Sequence, residues 1–265
     1  MDYPEYETVL TEVIEPHIML VTLNRPQAYN ALSHQMADDL TDLWTKLKVD
    51  LDTRVVILRG AGDKGFCAGL DMKEGLTEFE VTAPGFLEYQ IRLGELELKM
   101  QQIPQPIIAA IHGSATGGGF SFAMCADIRI ISKDARFAAF YINVGLGGAD
   151  MCSSYKLPRL IGTGRAYEYL LTGNFMSADE AMNLGFASRC VERGELLPAA
   201  LELARVIAAK DPLAVRLTKE AININVDAAG FENALALENR NQTIMILHNL
   251  SKGPNPIGPH LIDKR

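Results

Sequence analysis

No uninterrupted apolar run in the sequence approaches the roughly 20 residues that a membrane-spanning helix requires. No C-x-x-C pair occurs among the four cysteines, Cys67, Cys125, Cys152 and Cys190. The first absence argues against a bilayer span. The second leaves neither a zinc framework nor a disulfide scaffold and points to reduced thiols in a cytoplasmic protein. The stretch Met1 to Val13 carries acids and no apolar core, so it does not read as a secretory signal. Cationic side chains are outnumbered: the formal net charge is -8. Nucleic-acid binding rests on neutralising phosphates with Lys and Arg, so that class is disfavoured, while a small anionic ligand needs only a local patch. His17, His34, His248 and His260 have no acid or cysteine at metal-ligand spacing, and no metal is implied. There is no G-x-x-x-x-G-K-[ST] loop and no G-x-G-x-x-G followed by a suitable acid. Ser153-Ser154-Tyr155-Lys156 fits S-x-x-K without its companion triplets, as chance allows.

What is present reads as a globular chain of 265 residues, 48% hydrophobic and 22% charged, long enough to bury a sizeable core. Thr8–Ile14 and Ile18–Leu23 read as strands around a Glu15-Pro16 turn. Ser33 is placed to cap a helix carrying Met36, Leu40, Leu43, Trp44 and Leu47 at helical spacing. Val55–Leu58 is a wholly apolar strand, the pattern of a strand covered on both faces. The order then recurs. A helix over Phe86–Met100 leads past Pro104 into the strand Ile107–Ile111, and a short helix near Phe120–Cys125 leads into the strand Ile128–Ser132. This loose strand-strand-helix repeat predicts a spiral of such units rather than a plain doubly wound sheet. From about Pro158 onward the chain reads as helices, over 163–173, 178–184, 196–210, 213–222 and 231–250. The boundary is placed so that residues 1–195 form the α/β core and 196–265 a helical C-terminal region. The end, Gly253–Arg265, reads as a flexible or partner-docked tail.

Three glycine-rich turns carry the chemical signal: Gly60–Asp71, Gly113–Gly119 and Gly145–Asp150. The first two each follow an apolar strand. Three consecutive glycines, Gly117-Gly118-Gly119, at a strand-to-helix junction let the backbone approach a ligand closely, and the helix N-terminus adds orphan N–H groups. Two such loops are able to aim two backbone N–H groups at one oxygen, which stabilises an enolate or a tetrahedral oxyanion. Cys67, beside the first turn, reads as a buried, inert thiol.

These pieces resemble the enoyl-CoA hydratase/isomerase (crotonase) superfamily. The resemblance rests on Leu23-Asn24-Arg25-Pro26 with Asn30-Ala31-Leu32, on Phe66-Cys67-Ala68-Gly69-Leu70-Asp71, and on Ala109–Gly113. It continues through Gly117–Gly119, Cys125-Ala126-Asp127, Leu157–Gly162, Leu171–Gly173 and Ala178–Ala181, so it spans the chain to about residue 250. It implies a crotonase-type spiral of ββα units with a helical trimerisation region, assembled as a homotrimer or homohexamer. The implied substrate is an acyl-CoA thioester of fatty-acid type, with coenzyme A entering as part of the substrate and no separate cofactor. It further implies that the Leu70 and Gly118 amides polarise the thioester carbonyl beside Gly117. The Ala68 backbone would meet the adenine, and Arg25 is a candidate for the CoA phosphates.

The family pattern also shows what is missing. Where hydratases of this family carry two glutamates, this sequence has Ser121 and Tyr141, which are left to line the acyl site. Adding water across a double bond needs an acid and a base on the same water. Asp150 resembles, to within one residue of register, an aspartate used by dienoyl-CoA isomerases and by a dehalogenase branch, the latter with a histidine where Gly94 or a neighbour stands here. Asp150 therefore stands as catalytic acid/base, with a helix N-cap as its structural alternative. His112 reads as a spacer, and Glu95 and Glu97 as a solvated helix face. Tyr141, the stretch Met72–Phe79 and the helix from Phe86 are expected to wall the acyl pocket. The resulting expectation is proton transfer at an unsaturated acyl-CoA. A crotonase-fold hydrolase of a C–C or thioester bond and a non-catalytic CoA-thioester-binding protein are the alternatives.

Overall fold

The computed structural model describes residues 3–74 and 82–252. Residues 75–79 of the expected pocket wall and the tail from Gly253 lie outside the described residues. The chain divides into two compact units, one ending at Ala208 and one beginning at Ala209.

In the first unit, strands β1 (Val9–Glu15) and β2 (Ile18–Leu23) form an antiparallel hairpin, followed by helix α1 (His34–Leu47). Ser33 caps α1 as expected, its Oγ accepting the Met36 N–H at 3.1 Å. Three strand-strand-helix turns follow: β3 (Val55–Gly60), β4 (Gly65–Cys67) and α2 (Ala83–Gln102); β5 (Ile107–Ile111), β6 (Ser114–Thr116) and α3 (Gly118–Cys125); then β7 (Ile128–Ser132), β8 (Arg136–Ala138) and α4 (Ser153–Ile161). The first strand of each turn joins one sheet and the second joins another. The six-stranded sheet runs β1-β2-β3-β5-β7 and closes with β10 (Arg189–Val191), and the four-stranded one runs β4-β6-β8 and closes with β9 (Met176–Ser177). Within each sheet, the spiral strands pair in parallel. The sequence patterns miss the second sheet, β10 and α4: the strands concerned are two or three residues long, too short to show a period.

The apolar strands of the large sheet are buried on both faces, and alternate residues divide between two cores. Val56, Leu58, Ala109, Ile111 and Ile131 face the main core with α1, α2 and α3. Val55, Ile57, Ile108, Ala110 and Ile130 face helix α7 (Leu196–Ala208) through Leu196, Ala200, Ala204 and Ala208. That i, i+4, i+8 stripe of small residues lets α7 lie close on the sheet. The sequence groups α7 with the C-terminal region; the structure places it in the first unit, because its apolar face is used up covering β3, β5 and β7. Helices α5 (Thr163–Thr172) and α6 (Ala178–Asn183) complete this unit.

The second unit holds α8 (Pro212–Asn225) and α9 (Phe231–Ser251). Asp211 caps α8 by accepting the Leu213 and Ala214 amides, and also takes the Lys252 ammonium at 2.7 Å. That hydrogen-bonded ammonium is the first cause that holds the Asp211 carboxyl down at about 2. Among the described residues, no helix is long and apolar enough to cross a membrane.

Candidate active site

The two glycine turns meet. Gly69 has φ 88, and a Cβ there would stand 2.7 Å from the Thr116 carbonyl oxygen and 3.1 Å from the Gly118 nitrogen. Only a glycine permits this contact of backbone on backbone. Leu70 forms a parallel bridge with Leu32, made by the Leu32 N–H to the Gly69 carbonyl and the Asp71 N–H to the Leu32 carbonyl. A bridge of this pattern turns the amide of Leu70 itself away from its partner strand. Across the contact, Gly117 (φ 52) is the N-cap of α3, with its own N–H donating to Ala138. The amides of Gly118, Gly119 and Phe120 follow it without intrahelical acceptors, as the first turn of any helix must leave them. Gly69, which precedes Leu70, thus packs against Gly118 at the helix N-terminus.

Two other expected residues prove to be anchored. Ala68 is exposed, its amide donating to the Tyr29 carbonyl and its carbonyl accepting the Thr116 hydroxyl at 3.0 Å. Arg25 turns inward: its guanidinium donates to the Ala31 carbonyl and to Asp71, each at 2.8 Å, and to Glu74 at 3.0 Å. Burial works to raise the Asp71 carboxyl, but the Arg25 hydrogen bond and the Lys73 amide hold it below its usual value. The resemblance offers Arg25 to the CoA phosphates. In the structure its guanidinium also ties the Ala31 carbonyl to the turn that carries Leu70 and Asp71.

Ser121 and Tyr141, twenty positions apart, meet: their hydroxyls are 2.8 Å apart, Ser121 fully buried and Tyr141 nearly so. The Tyr141 ring lies against Gly117, with Cε1 3.5 Å from where a Cβ would stand. Burial pushes the Tyr141 hydroxyl well above its ordinary value, so the pair is a neutral hydroxyl couple. Asp150 stands beside them, one of the charges that act on Tyr141. Its Oδ1 accepts Gln90 Nε2 at 3.0 Å and the Met151 amide at 2.8 Å, while no bond to Oδ2 is found among the described residues. Asp150 is not the helix cap. Cys152 occupies the N-cap of α4, and Ser153 Oγ accepts the N–H of Asp150. Met151 (φ 43) and Cys152 (φ 67) are consecutive left-handed residues, a strained arrangement of a kind that collects at functional sites. The Met151 sulfur lies 3.3 Å from where a Cβ on Gly118 would stand.

The sequence misplaces one acid. Glu97, expected on a solvated face, is 3% exposed, and among the described residues neither carboxyl oxygen has a hydrogen-bond partner. Its place follows from helix geometry, since residues 90, 97 and 101 of α2 share one face. Gln90 reaches Asp150, and Gln101 reaches the Cys125 carbonyl at 3.5 Å, so Glu97 lies between these ends. Burial pushes its carboxyl well above the ordinary range, with Cys152 and Asp150 adding to the effect. An apolar stripe, Leu93, Leu96 and Met100, carries α2 into the core and takes Glu97 with it. No local pattern reveals this; a single acid beside such a stripe was the available signal.

A raised carboxyl gives stability that is complete below the unfolded-state pKa and is lost as pH rises toward the folded one. Relative to Glu97→Gln, the wild type is therefore expected to lose stability as pH rises from about 4. The loss is about 1.4 kcal/mol per pH unit wherever the unfolded chain is ionised and the folded one is not. Urea midpoints of both proteins between pH 4 and 7 measure it; parallel curves would mean that Glu97 titrates normally.

The expectations for Cys67 and His112 can be compared with their surroundings. Cys67 is fully buried and its thiol is pushed up to about 12 by burial, which suits an inert thiol. His112 is buried, and burial lowers its imidazole.

The first unit is thus an α/β spiral with a glycine-rich helix start packed against a second glycine turn. The sequence pattern of the enoyl-CoA hydratase/isomerase family matches residues 14–255. The chain is 39% identical to (E)-benzylidenesuccinyl-CoA hydratase of Thauera aromatica over 82% of its length and 83% of that protein's. It is 36% identical to the short-chain-enoyl-CoA hydratase of Clostridium acetobutylicum, over 84% of each chain. A crystal structure of a probable enoyl-CoA hydratase/isomerase from Mycobacterium abscessus superposes with a TM-score of 0.84 at 37% identity, covering 92% of this chain and 93% of that one. A monofunctional enoyl CoA isomerase from M. smegmatis does so at 0.72 and 34%, covering 86% and 98%. This chain belongs to the enoyl-CoA hydratase/isomerase family and is an enzyme of that class with the crotonase fold.

Proposed function

We propose that this enzyme moves a proton on an unsaturated acyl-CoA by way of a thioester enolate. The thioester oxygen accepts hydrogen bonds from the Leu70 and Gly118 amides, which strengthen as negative charge develops on it. The Asp150 carboxylate, with Oδ2 unengaged, removes a proton from the carbon next to the carbonyl and returns it further along the conjugated system, shifting the double bond. The observation that carries this reading is the combination of orphan amides with one oriented carboxylate, while hydroxyls occupy both family glutamate positions. One carboxylate serves a transfer in which the same group takes and returns the proton, whereas hydration needs two groups on one water. The hydroxyls of Ser121 and Tyr141 and the side chain of Met151 line the acyl side.

Incubation with a 3-enoyl-CoA and with crotonyl-CoA in deuterated water tests the proposal. The expected result is double-bond migration in the first, with deuterium at the γ-carbon of the conjugated product and beside the carbonyl of the recovered substrate. Tight binding of both thioesters without label or turnover would overturn it in favour of a CoA-thioester-binding protein. The assembly we propose is a homotrimer or a dimer of trimers, supported by the apolar side chains that α9 and the preceding segment leave exposed, among them Ile222, Phe231 and Leu247. Sedimentation equilibrium is expected to give three or six copies; a monomer would reject this assembly.

A further inference from the structure

Two cysteines separated by twenty-seven positions meet beneath the proposed acyl site. Cys125 Sγ and Cys152 Sγ are 3.5 Å apart, at the contact of two free thiols. The two sulfurs are not equivalent. Cys125 ends α3 and is 2% exposed, whereas Cys152 is partly exposed at the N-cap of α4. The hydrogen bond with Cys125 and the Lys156 ammonium draw the Cys152 thiol below its ordinary value; the same hydrogen bond together with burial drives Cys125 upward. A thiol at a helix N-terminus beside a lysine is the more nucleophilic member of such a pair.

We propose that Cys125 and Cys152 form an oxidisable dithiol, converted by a hydroperoxide to an intramolecular disulfide. The Cys152 sulfur attacks the outer peroxide oxygen, the O–O bond breaks, and the proton of the Cys152 thiol leaves on the alcohol product (water, when hydrogen peroxide is the oxidant). Cys152 is now a sulfenic acid. The Cys125 sulfur attacks the Cys152 sulfur, the S–S bond forms, and hydroxide departs from Cys152. The proton of the Cys125 thiol leaves with that hydroxide as water. Two thiols and one hydroperoxide thus become one disulfide, one alcohol and one water. The sulfurs lose two electrons and the peroxide gains them. The proposal is independent of the reaction assigned to Asp150, because its readouts are thiols and masses.

The test treats the reduced, full-length protein with one equivalent of hydrogen peroxide, counts thiols after unfolding, and maps disulfides by mass spectrometry. The expected result is a fall from four reactive thiols to two, a loss of about two mass units, and one linked peptide pair containing Cys125 and Cys152, with Cys67 and Cys190 still reduced. In Cys125→Ser, Cys152 should stop at the sulfenic acid and be trapped by dimedone. Four free thiols in the treated wild type, or a disulfide involving Cys190 or a second chain, would overturn the dithiol. The wild-type map decides the pairing even if a variant fails to fold.

Discussion

Asp150→Asn is expected to lower deuterium incorporation beside the thioester carbonyl by at least about 10²-fold, the share usually carried by a positioned acid or base. The substitution is gentle. Both hydrogen bonds that orient the side chain, from Gln90 Nε2 and from the Met151 amide, end on Oδ1, which asparagine retains as a carbonyl oxygen. The change falls on Oδ2, where an acceptor able to take a proton becomes an amide NH₂ that cannot. Thioester affinity should therefore persist, since the Leu70 and Gly118 amides are untouched. Exchange measured at saturating acyl-CoA, with binding followed separately by calorimetry, distinguishes a lost base from a lost site. Wild-type exchange in the variant would remove Asp150 from the mechanism.

The second large effect is steric. In Gly119→Ala, the new methyl would stand 2.2 Å from the Cys67 carbonyl oxygen and 2.7 Å from the Cys67 Cβ. The φ of Gly119 is not in the left-handed region, so the conflict is one of space alone. Cys67 and Gly119 are fully buried in β4 and α3, and the obstacle is backbone that cannot rotate away. Relief requires α3 to withdraw from the turn carrying Gly69 and Leu70, which separates the two amides. Overpacking of this kind costs about 1–3 kcal/mol or more, and losing one oxyanion donor costs about 10²–10³ in rate. Gly119→Ala should lower the melting temperature by several degrees and exchange by at least about 10²-fold. Gly164→Ala is the control: a methyl there meets nothing within 4 Å, and in helix α5 it should be neutral or stabilising. Equal behaviour of the two variants would show that α3 and β4 are not packed as described.

Features written in short stretches of chain were legible in the sequence. Ser33 before an apolar helical period gives a cap because cap and helix are neighbours. The strands β3, β5 and β7 announce their double burial because every residue in them is apolar. The glycine runs mark where backbone must approach backbone, and Gly69 and Gly119 meet that demand with contacts no side chain could share. The family resemblance adds the pairing of Leu70 with Gly118, through motif spacing that survives when other residues change.

What the sequence left undecided were encounters between distant positions. Arg25 looks free beside a strand, yet its role depends on Asp71 and Glu74, forty-six and forty-nine positions on. Glu97 looks solvated because Glu95 and Lys99 flank it closely, but α2 presses that face against α3. The cysteines look scattered because spacing along the chain says nothing of α3 ending where α4 begins. By itself the sequence determined the ββα order, the apolar layers and the glycines that admit two amides to one place, all set by local sterics and by side-chain period. Only the tertiary structure decided which side chains surround that place, because burial and charge pairing are fixed when separate turns of the spiral pack together.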